Sequence, residues 1–417
     1  MCEFRYLPGI TSATVCRRAA TAMLVRRQQE NINGSVKISP QLTFSAQSPW
    51  RKSVYSRIGV FLSPVNEPGQ DPHLVIQRQL DLVENVDRLN FDEAWFGEHH
   101  TLGWGLVGAP ETMIAAASQR TRQIKLAHGV VPLPWHHPFH VASRAVHLDH
   151  LTRGRYILGV GPGIFPDARM LGLDAAEQRS RLAEALPTVI ELVNGDERLT
   201  EKTDWYGLRD AKLQLPRFTP GGLEVAVASG GTSPTSPLLA GRHGTSLVSF
   251  ALAQPGAANT IDLARQWSYA EEAAEEHGHT MVRDNWRVAL PLHVAETREQ
   301  AFADVREGFD RWLFEFFGRA AGRDVTTPGV PAGQELEARI EAGGAIVGSP
   351  DDVVEAIRHL QARTGGFGNL LVYVPDWCSL EKTDRSLELL ARYVAPRLTG
   401  AAARPQESID HLVASRG

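Results

Sequence analysis

The sequence predicts an α/β fold in which eight parallel strands, each followed by a helix, close into a barrel. Three observations carry this expectation. From Tyr55 onward, short apolar runs of strand character alternate with longer runs of helical period, the pattern of a parallel sheet wrapped by helices. The strand-like runs number eight, which closes a (β/α)8 barrel of the TIM type. Two longer stretches break the alternation, 200–220 around Trp205-Tyr206-Gly207 and the Gly/Ala/Pro-rich 318–344. Inserted loops or a hairpin of that length usually cover the C-terminal face, where a barrel keeps its chemistry.

In chain order the strands are expected at 57–62, 93–97, 124–131, 156–160, 223–228, 246–250, 286–294 and 369–374. The helices are expected at 72–89, 110–121, 138–151, 176–193, 234–242, 260–277, 297–317 together with 350–364, and 382–394. In the first helix Leu74, Leu80, Val83, Val86 and Leu89 fall mostly three or six apart and form an inward stripe. Ser349-Pro350-Asp351-Asp352 places a cap residue, a first-turn proline and two carboxylates where the helix dipole favours them.

Composition bounds the function. At 417 residues, 43% hydrophobic and 22% charged, the chain is of enzyme size, and no apolar run reaches membrane-spanning length. The net charge of −5 divides unevenly: the first 53 residues hold eight Lys/Arg against Glu3 and Glu30, giving +6, which leaves −11 on the other 364. An acidic body argues against a nucleic-acid partner, because phosphate binding needs clustered cations. We expect residues 1–53 to be a basic, disordered extension, 54–400 the barrel and 401–417 a tail. The leader is acid-poor, as organelle transit segments are, but has no clean amphipathic period and no apolar core of a secretory signal. Cys2 and Cys16 lie in it and only Cys378 in the body, so no disulfide framework is implied and a cytoplasmic location fits. Cys378 has no activating context and reads as a bystander.

The second strand runs into Glu98-His99-His100, three titratable groups at one rim position. Taken alone the trio has three readings: a hydrogen-bonded cap, a metal site or an acid/base pair. His136, His137 and His140 end another strand and lend the metal reading some support, but no His-x-His ends the first strand, and no metal is expected. His147 and His150 fall within a helix and read as surface or packing residues. Gly159-Val160-Gly161-Pro162-Gly163 would let the backbone approach a flat ring or a phosphate, or serve as a plain tight turn. No helix is expected to follow it at once, so it is no dinucleotide fingerprint. The hydroxyl-rich 229–236 stretch, Ser-Gly-Gly-Thr-Ser-Pro-Thr-Ser, joins a strand directly to a helix, the place where a barrel holds a cofactor phosphate on helix amides. Arg179 and Arg181 could add charge-assisted bonds, or be surface arginines.

Several of these motifs, in this order, resemble the bacterial luciferase-like flavin monooxygenases, within them the limonene hydroxylase type. The resemblance is carried by DEAWFGEHH (92–100), Ala109-Pro110-Glu111, the run from Arg120 to Gly163, EKTDWYGLRDAKLQL (201–215), VAVASGG (225–231) and 348–371. It implies a β/α barrel using reduced FMN, supplied by a separate NAD(P)H-dependent flavin reductase, to activate O2 through a flavin hydroperoxide. The product would be an oxygenated small hydrophobic molecule, terpene-like or a ketone. By the same resemblance His99 is the catalytic histidine beside the ring and Glu98 its orienting neighbour. Gly129-Val130 matches a non-proline cis peptide under the ring. Ser229, Gly230 and Ser236 match phosphate contacts, and Arg179 an arginine that reaches the phosphate. Gly161, with Gly163 in the same loop, departs from the luciferases proper: Gly161-Pro162 stand where those carry a reactive thiol and an arginine, so light emission is not implied. The family often dimerises, so a homodimer is possible. Other readings are a deazaflavin (F420)-dependent oxidoreductase of the same superfamily, a flavin-storing homologue without activity, and a zinc-dependent barrel hydrolase. His99 is expected to control the proton of the activated oxygen, since histidine titrates nearest neutrality. The aromatic Trp95, Trp104, Trp135, Trp205 and Phe165 are expected to wall a dry pocket.

Overall fold

A computed structural model describes residues 57–62, 66–101, 103–252 and 262–416; the leader 1–53 lies outside the described residues. All eight expected strands form: β1 (Arg57–Leu62), β2 (Glu93–Phe96), β3 (Lys125–His128), β4 (Tyr156–Gly161), β5 (Val225–Ser229), β6 (Ser246–Phe250), β7 (Arg287–Val294) and β8 (Asn369–Tyr373). Each pairs in parallel with the next, and β8 returns to β1, with Val60 opposite Val372, so the sheet closes. The third strand is shorter than the expected 124–131: it stops at His128, and a two-residue piece, Val131–Pro132, pairs with β4 beyond the Gly129-Val130 peptide.

The helices follow the strands: α1 (Pro72–Arg88), α2 (Pro110–Arg120), α3 (Pro138–Thr152), α4 (Phe165–Met170), α5 (Ala175–Asn194), α6 (Thr235–Arg242), α7 (Leu263–Glu276), α8 (Arg298–Arg311), α9 (Glu335–Glu341), α10 (Pro350–Thr364) and α11 (Leu380–Leu389). Their ends are chemically determined. Asp71 accepts from the amides of His73 and Leu74 at the start of α1, and Ser349 and Asp352 cap each other reciprocally at α10, which stops at Gly365 with φ 76°. Some helices among the described residues were not expected. Short α4 follows the glycine loop, and α9 lies within the 318–344 excursion. The tail expected at 401–417 contains a further helix, Ala403–Ala414. The 200–220 insertion is an antiparallel hairpin, Leu199–Lys202 with Gly207–Ala211. It lies along α5, where Trp205 donates to Glu184 at 2.5 Å, and its Tyr206 meets the ring of His137 near the rim.

Strand alternation divides the core in two. Side chains such as Phe96, Leu126 and Val160 pack outward against the helices. Phe61, Trp95, Ala127, Ile157, Ala226, Val248, Ala289 and Leu371 fill the barrel interior. At its amino end the interior is plugged by charge: Arg287, fully buried, donates to both oxygens of Glu93 at 2.7 and 2.8 Å and reaches Glu224 at 2.8 Å. Trp95 donates to the same Glu93 carboxylate at 2.9 Å. The buried charges are thus paired, which a low-dielectric interior demands. Among the described residues no helix is long and apolar enough to cross a membrane.

Candidate active site

The register brings the sequence-selected residues to one end of the barrel. Phe96 pairs with His128, Pro132 with Gly161 and Val160 with Val227. The chain segments that leave β2, β3, β4 and β5 therefore stand side by side: Glu98-His99, Gly129-Val130, Gly161 and Ser229. The amide of Gly129 donates to Phe96 O at 2.6 Å and ties the second segment to the first.

The Gly129-Val130 peptide is cis, as the resemblance implied. Glycine is needed there because a Cβ would stand 2.7 Å from the Phe61 ring and 3.1 Å from Trp95 Cβ. The neighbouring glycines are fixed by contact too. A Cβ on Gly159 would stand 1.9 Å from His128 O, and one on Gly161 would stand 2.9 Å from Val130 Cγ2. Gly163 has φ +81°, and its Cβ position lies 2.3 Å from the Trp135 ring. Backbone and small side chains thus form a closely packed floor, with Trp95 filling the barrel beneath it.

His99 and Glu98 do different things. His99 Nδ1 lies 3.0 Å from Asp167 Oδ2, while Glu98 Oε1 lies 3.1 Å from His100 Nε2 and 2.8 Å from His136 Nε2. The expectation that Glu98 orients His99 is therefore corrected. Successive side chains of extended chain face opposite ways: Trp95 points into the barrel, Phe96 and Glu98 toward the helices. Glu98 lines a cavity of about 20 Å³ with Glu111, His128, His136 and Tyr156, between the sheet and α3. There Glu111 is held down at about 2, first by His128.

Asp167 is the functional residue that sequence reasoning missed. It sits in the first turn of α4, fully buried, and also accepts from the His100 amide at 3.1 Å and the Thr101 hydroxyl at 2.5 Å. Burial pushes its carboxyl up, but the bonds from His99, Thr101 and His100 outweigh it and hold it below the usual range. Against the Asp167 carboxylate, Nδ1 is the nitrogen of His99 that donates, and Nε2 is left out of that contact. The available signal was Phe165-Pro166-Asp167, a first-turn proline and carboxylate right after the glycine loop.

The 229–236 loop is held from behind. Gln266 on α7, 4% exposed, donates to Gly231 O at 2.8 Å. Ser233 Oγ and Thr235 Oγ1 lie 3.0 Å apart, and Ser236 occupies the first turn of α6. Gly230 and Gly231 are exposed, with no side chain closer than 4.0 Å to where their Cβ atoms would stand. Arg179 is exposed in the early turns of α5, at the same end of the barrel, while Arg181 is engaged by Glu177 and the Trp205 ring. Its neighbour Gln178 donates to Pro162 O at 2.9 Å and braces the glycine loop.

Of the expected aromatic wall, Trp104 packs 5.7 Å from Phe316 and Trp135 stands over Gly163. Trp95 fills the barrel beneath the floor, Trp205 lies on α5, and Phe165 is 54% exposed. Cys378 is half-buried beside Thr383 and His293, and burial pushes its thiol up. His147 is exposed, and His150 lies 2.7 Å from Pro216 O, away from the rim. Among the described residues no three His, Cys, Asp or Glu side chains are grouped so as to hold a metal ion.

The family model of the luciferase-like monooxygenases matches residues 56–366. The chain belongs to that family. It is 46% identical over 360 residues to 4-hydroxyprotoasukamycin monooxygenase of Streptomyces nodosus subsp. asukaensis, covering 86% of this chain and 95% of that one. It is 43% identical to limonene 1,2-monooxygenase of Rhodococcus erythropolis, over 82% of this chain and 86% of that one. Among solved structures, the FMN complex of the oxygenating constituent of 3,6-diketocamphane monooxygenase from Pseudomonas putida superposes with a TM-score of 0.68. That match is at 28% identity, covering 82% of this chain and 98% of that one. The protein is thus a flavin-dependent monooxygenase of the luciferase-like family.

Proposed function

We propose that this chain is the oxygenating component of a two-component system. It takes reduced FMN from a separate NAD(P)H-dependent flavin reductase and transfers one atom of O2 to a small hydrophobic substrate, terpene-like or a ketone. The observation that carries this reading is the convergence of the cis Gly129-Val130 floor, the His99–Asp167 couple and the 229–236 loop on one rim. The relatives named for limonene and diketocamphane, the second with FMN bound, support the substrate class and the cofactor.

The residues present fit a flavin mononucleotide. A flat ring needs a flat bed, and the floor of Gly129, Val130, Gly161 and Gly163 has no room for a further Cβ. A phosphate needs donors and space, and the exposed Gly230 and Gly231 beside Ser229 and Ser236 supply both, while Arg179 is the exposed cation proposed as counter-charge. When bound, the reduced flavin supplies the two electrons that activate O2.

The chain's own part is positional and protonic. Asp167 keeps His99 in the tautomer whose Nε2 can take or return a proton at the reacting oxygen, the exchange a general acid/base performs. Trp104, in the segment that follows β2, packs on Phe316 and adds apolar surface, which would favour a dry site. Glu98 acts only at a distance, holding His100 and His136 in place.

The test is to mix the purified protein anaerobically with chemically reduced FMN, admit O2, and follow oxygen uptake and product across a panel of terpenes and ketones. We expect one oxygen atom per molecule of at least one substrate. Turnover supported by a reduced deazaflavin, without oxygen consumption, would replace this reading with the hydride-transfer one.

A further inference from the structure

A second cluster of reactive groups stands apart from the rim. A cavity of about 340 Å³ opens among α1, α8 and α11, and none of the rim residues lines it. Cys378, the one cysteine among the described residues, does. Its own segment supplies no activating group, but the fold brings one. Nδ1 of His293, near the end of β7, lies 3.9 Å from Cys378 Sγ, and Nε2 of the same ring lies 3.4 Å from Asp304 Oδ2 on α8. Lys382 holds the other oxygen of Asp304 at 2.8 Å. Burial pushes the His293 imidazole down despite Asp304 and pushes the thiol up, so the two rest as a neutral ring facing a neutral thiol. With Nε2 donating to Asp304, Nδ1 is the nitrogen left to accept the thiol proton. Nucleophile, base and orienting acid thus stand in line at the wall of a cavity.

The other groups of that wall select what reaches the sulfur. Arg78, Arg311 and Lys382 share it with Glu67, Glu307 and Asp376. Arg78 lies 3.3 Å from Asp376, and Arg311 lies 3.6 Å from Glu67 and 3.0 Å from Glu307. A guest of one sign meets repulsion as well as attraction there, whereas a guest with both an ammonium and a carboxylate finds a partner for each. Trp377, 3% exposed, lines the same cavity, and its indole N–H has no acceptor among the described residues. A buried donor left unpaired is costly, and a guest carboxylate would supply the acceptor.

We propose that Cys378 is a modification site at which a small zwitterionic disulfide, of the cystine kind, leaves half of itself on the protein as a mixed disulfide. The Cys378 sulfur attacks one sulfur of the guest, a new S–S bond forms and the guest's own S–S bond breaks. His293 takes the thiol proton and passes it to the departing thiolate. The protein sulfur is oxidised, and the other half of the guest leaves reduced, as a free thiol. This goes beyond the oxygenation at the rim and does not depend on it.

The experiment uses the purified full chain, reduced and then freed of reductant, and three disulfides. Cystine carries both charges, cystamine only ammonium groups and dithiodipropionate only carboxylates. Peptide mapping by mass spectrometry reads the adduct on Cys378 apart from Cys2 and Cys16, and each rate is divided by that disulfide's rate with a free cysteine peptide. Cystine should lead each of the others by about three-fold or more. His293→Asn should slow all three by about ten-fold or more, the mark of a lost general base. Arg311→Gln should bring cystine to within about two-fold of cystamine, because the guest carboxylate loses its partner. A Cys378 that none of the three modifies, equal corrected rates, or an unchanged rate in His293→Asn would overturn the proposal. If that variant fails to fold, the wild-type series and Arg311→Gln decide, and a lead of cystine that Arg311→Gln leaves intact would count against it.

Discussion

Nδ1 of His99 and the carboxylate of Asp167, 68 positions apart in sequence, meet at 3.0 Å across the β2 and β4 loops. The proposed proton-handling role of the rim rests on that contact, and it yields the sharpest prediction. Asp167→Asn keeps the volume but removes the acceptor that fixes the histidine tautomer. Product formation should fall by about 10²-fold, the lower range for a general acid/base, with FMN affinity nearly unchanged. A matched loss of flavin binding would assign Asp167 to the fold instead.

The proposed phosphate contact of the 229–236 loop offers a test that separates the ends of the cofactor. Gln266→Leu removes the bond that holds Gly231. Affinity for FMN should drop by about five-fold, from one net hydrogen bond, while riboflavin, which lacks the phosphate, should bind as before. Equal weakening of both ligands would mean that Gln266 supports the barrel generally.

At the other end of the barrel, Arg287→Met would leave Glu93 buried without its counter-charge. We expect a loss of about 3–5 kcal/mol in denaturant unfolding, the usual cost of breaking a buried pair. Replacing Arg397, whose partner Asp351 is exposed, should cost less than about 1 kcal/mol.

Acid should act through the depressed carboxyls. Burial raises Glu224, but Arg287 and Lys125 hold it at about 2, against an ordinary 4.5. A group depressed on folding stabilises fully above its unfolded pKa and loses that contribution as pH falls through the folded value. The Tm should therefore fall between pH 4.5 and about 2, and Glu224→Gln should flatten that limb. An identical acid limb in the variant would remove Glu224 from the account.

The barrel was legible because strand order and helix caps are local. Apolar runs such as Arg57–Leu62 and capped starts such as Ser349-Pro350 need no tertiary knowledge to read. The glycines could be selected as a group, although the reasons they are glycine lie in contacts with Phe61, Trp95, Val130 and Trp135 from other segments. The pairing of His99 was not legible. Adjacency in sequence suggested Glu98, whereas extended chain turns neighbours to opposite faces, and the true partner arrives from α4.

The most direct measurement is an anaerobic titration of the purified protein with reduced FMN, in the wild type and in Gly161→Val, whose side chain would press on Val130. The account predicts saturable binding at one flavin per chain, weakened by about ten-fold or more in the variant, an overpacking effect of about 1–3 kcal/mol. Binding that never saturates, or that the added side chain leaves unchanged, would contradict the placement of the flavin on this rim.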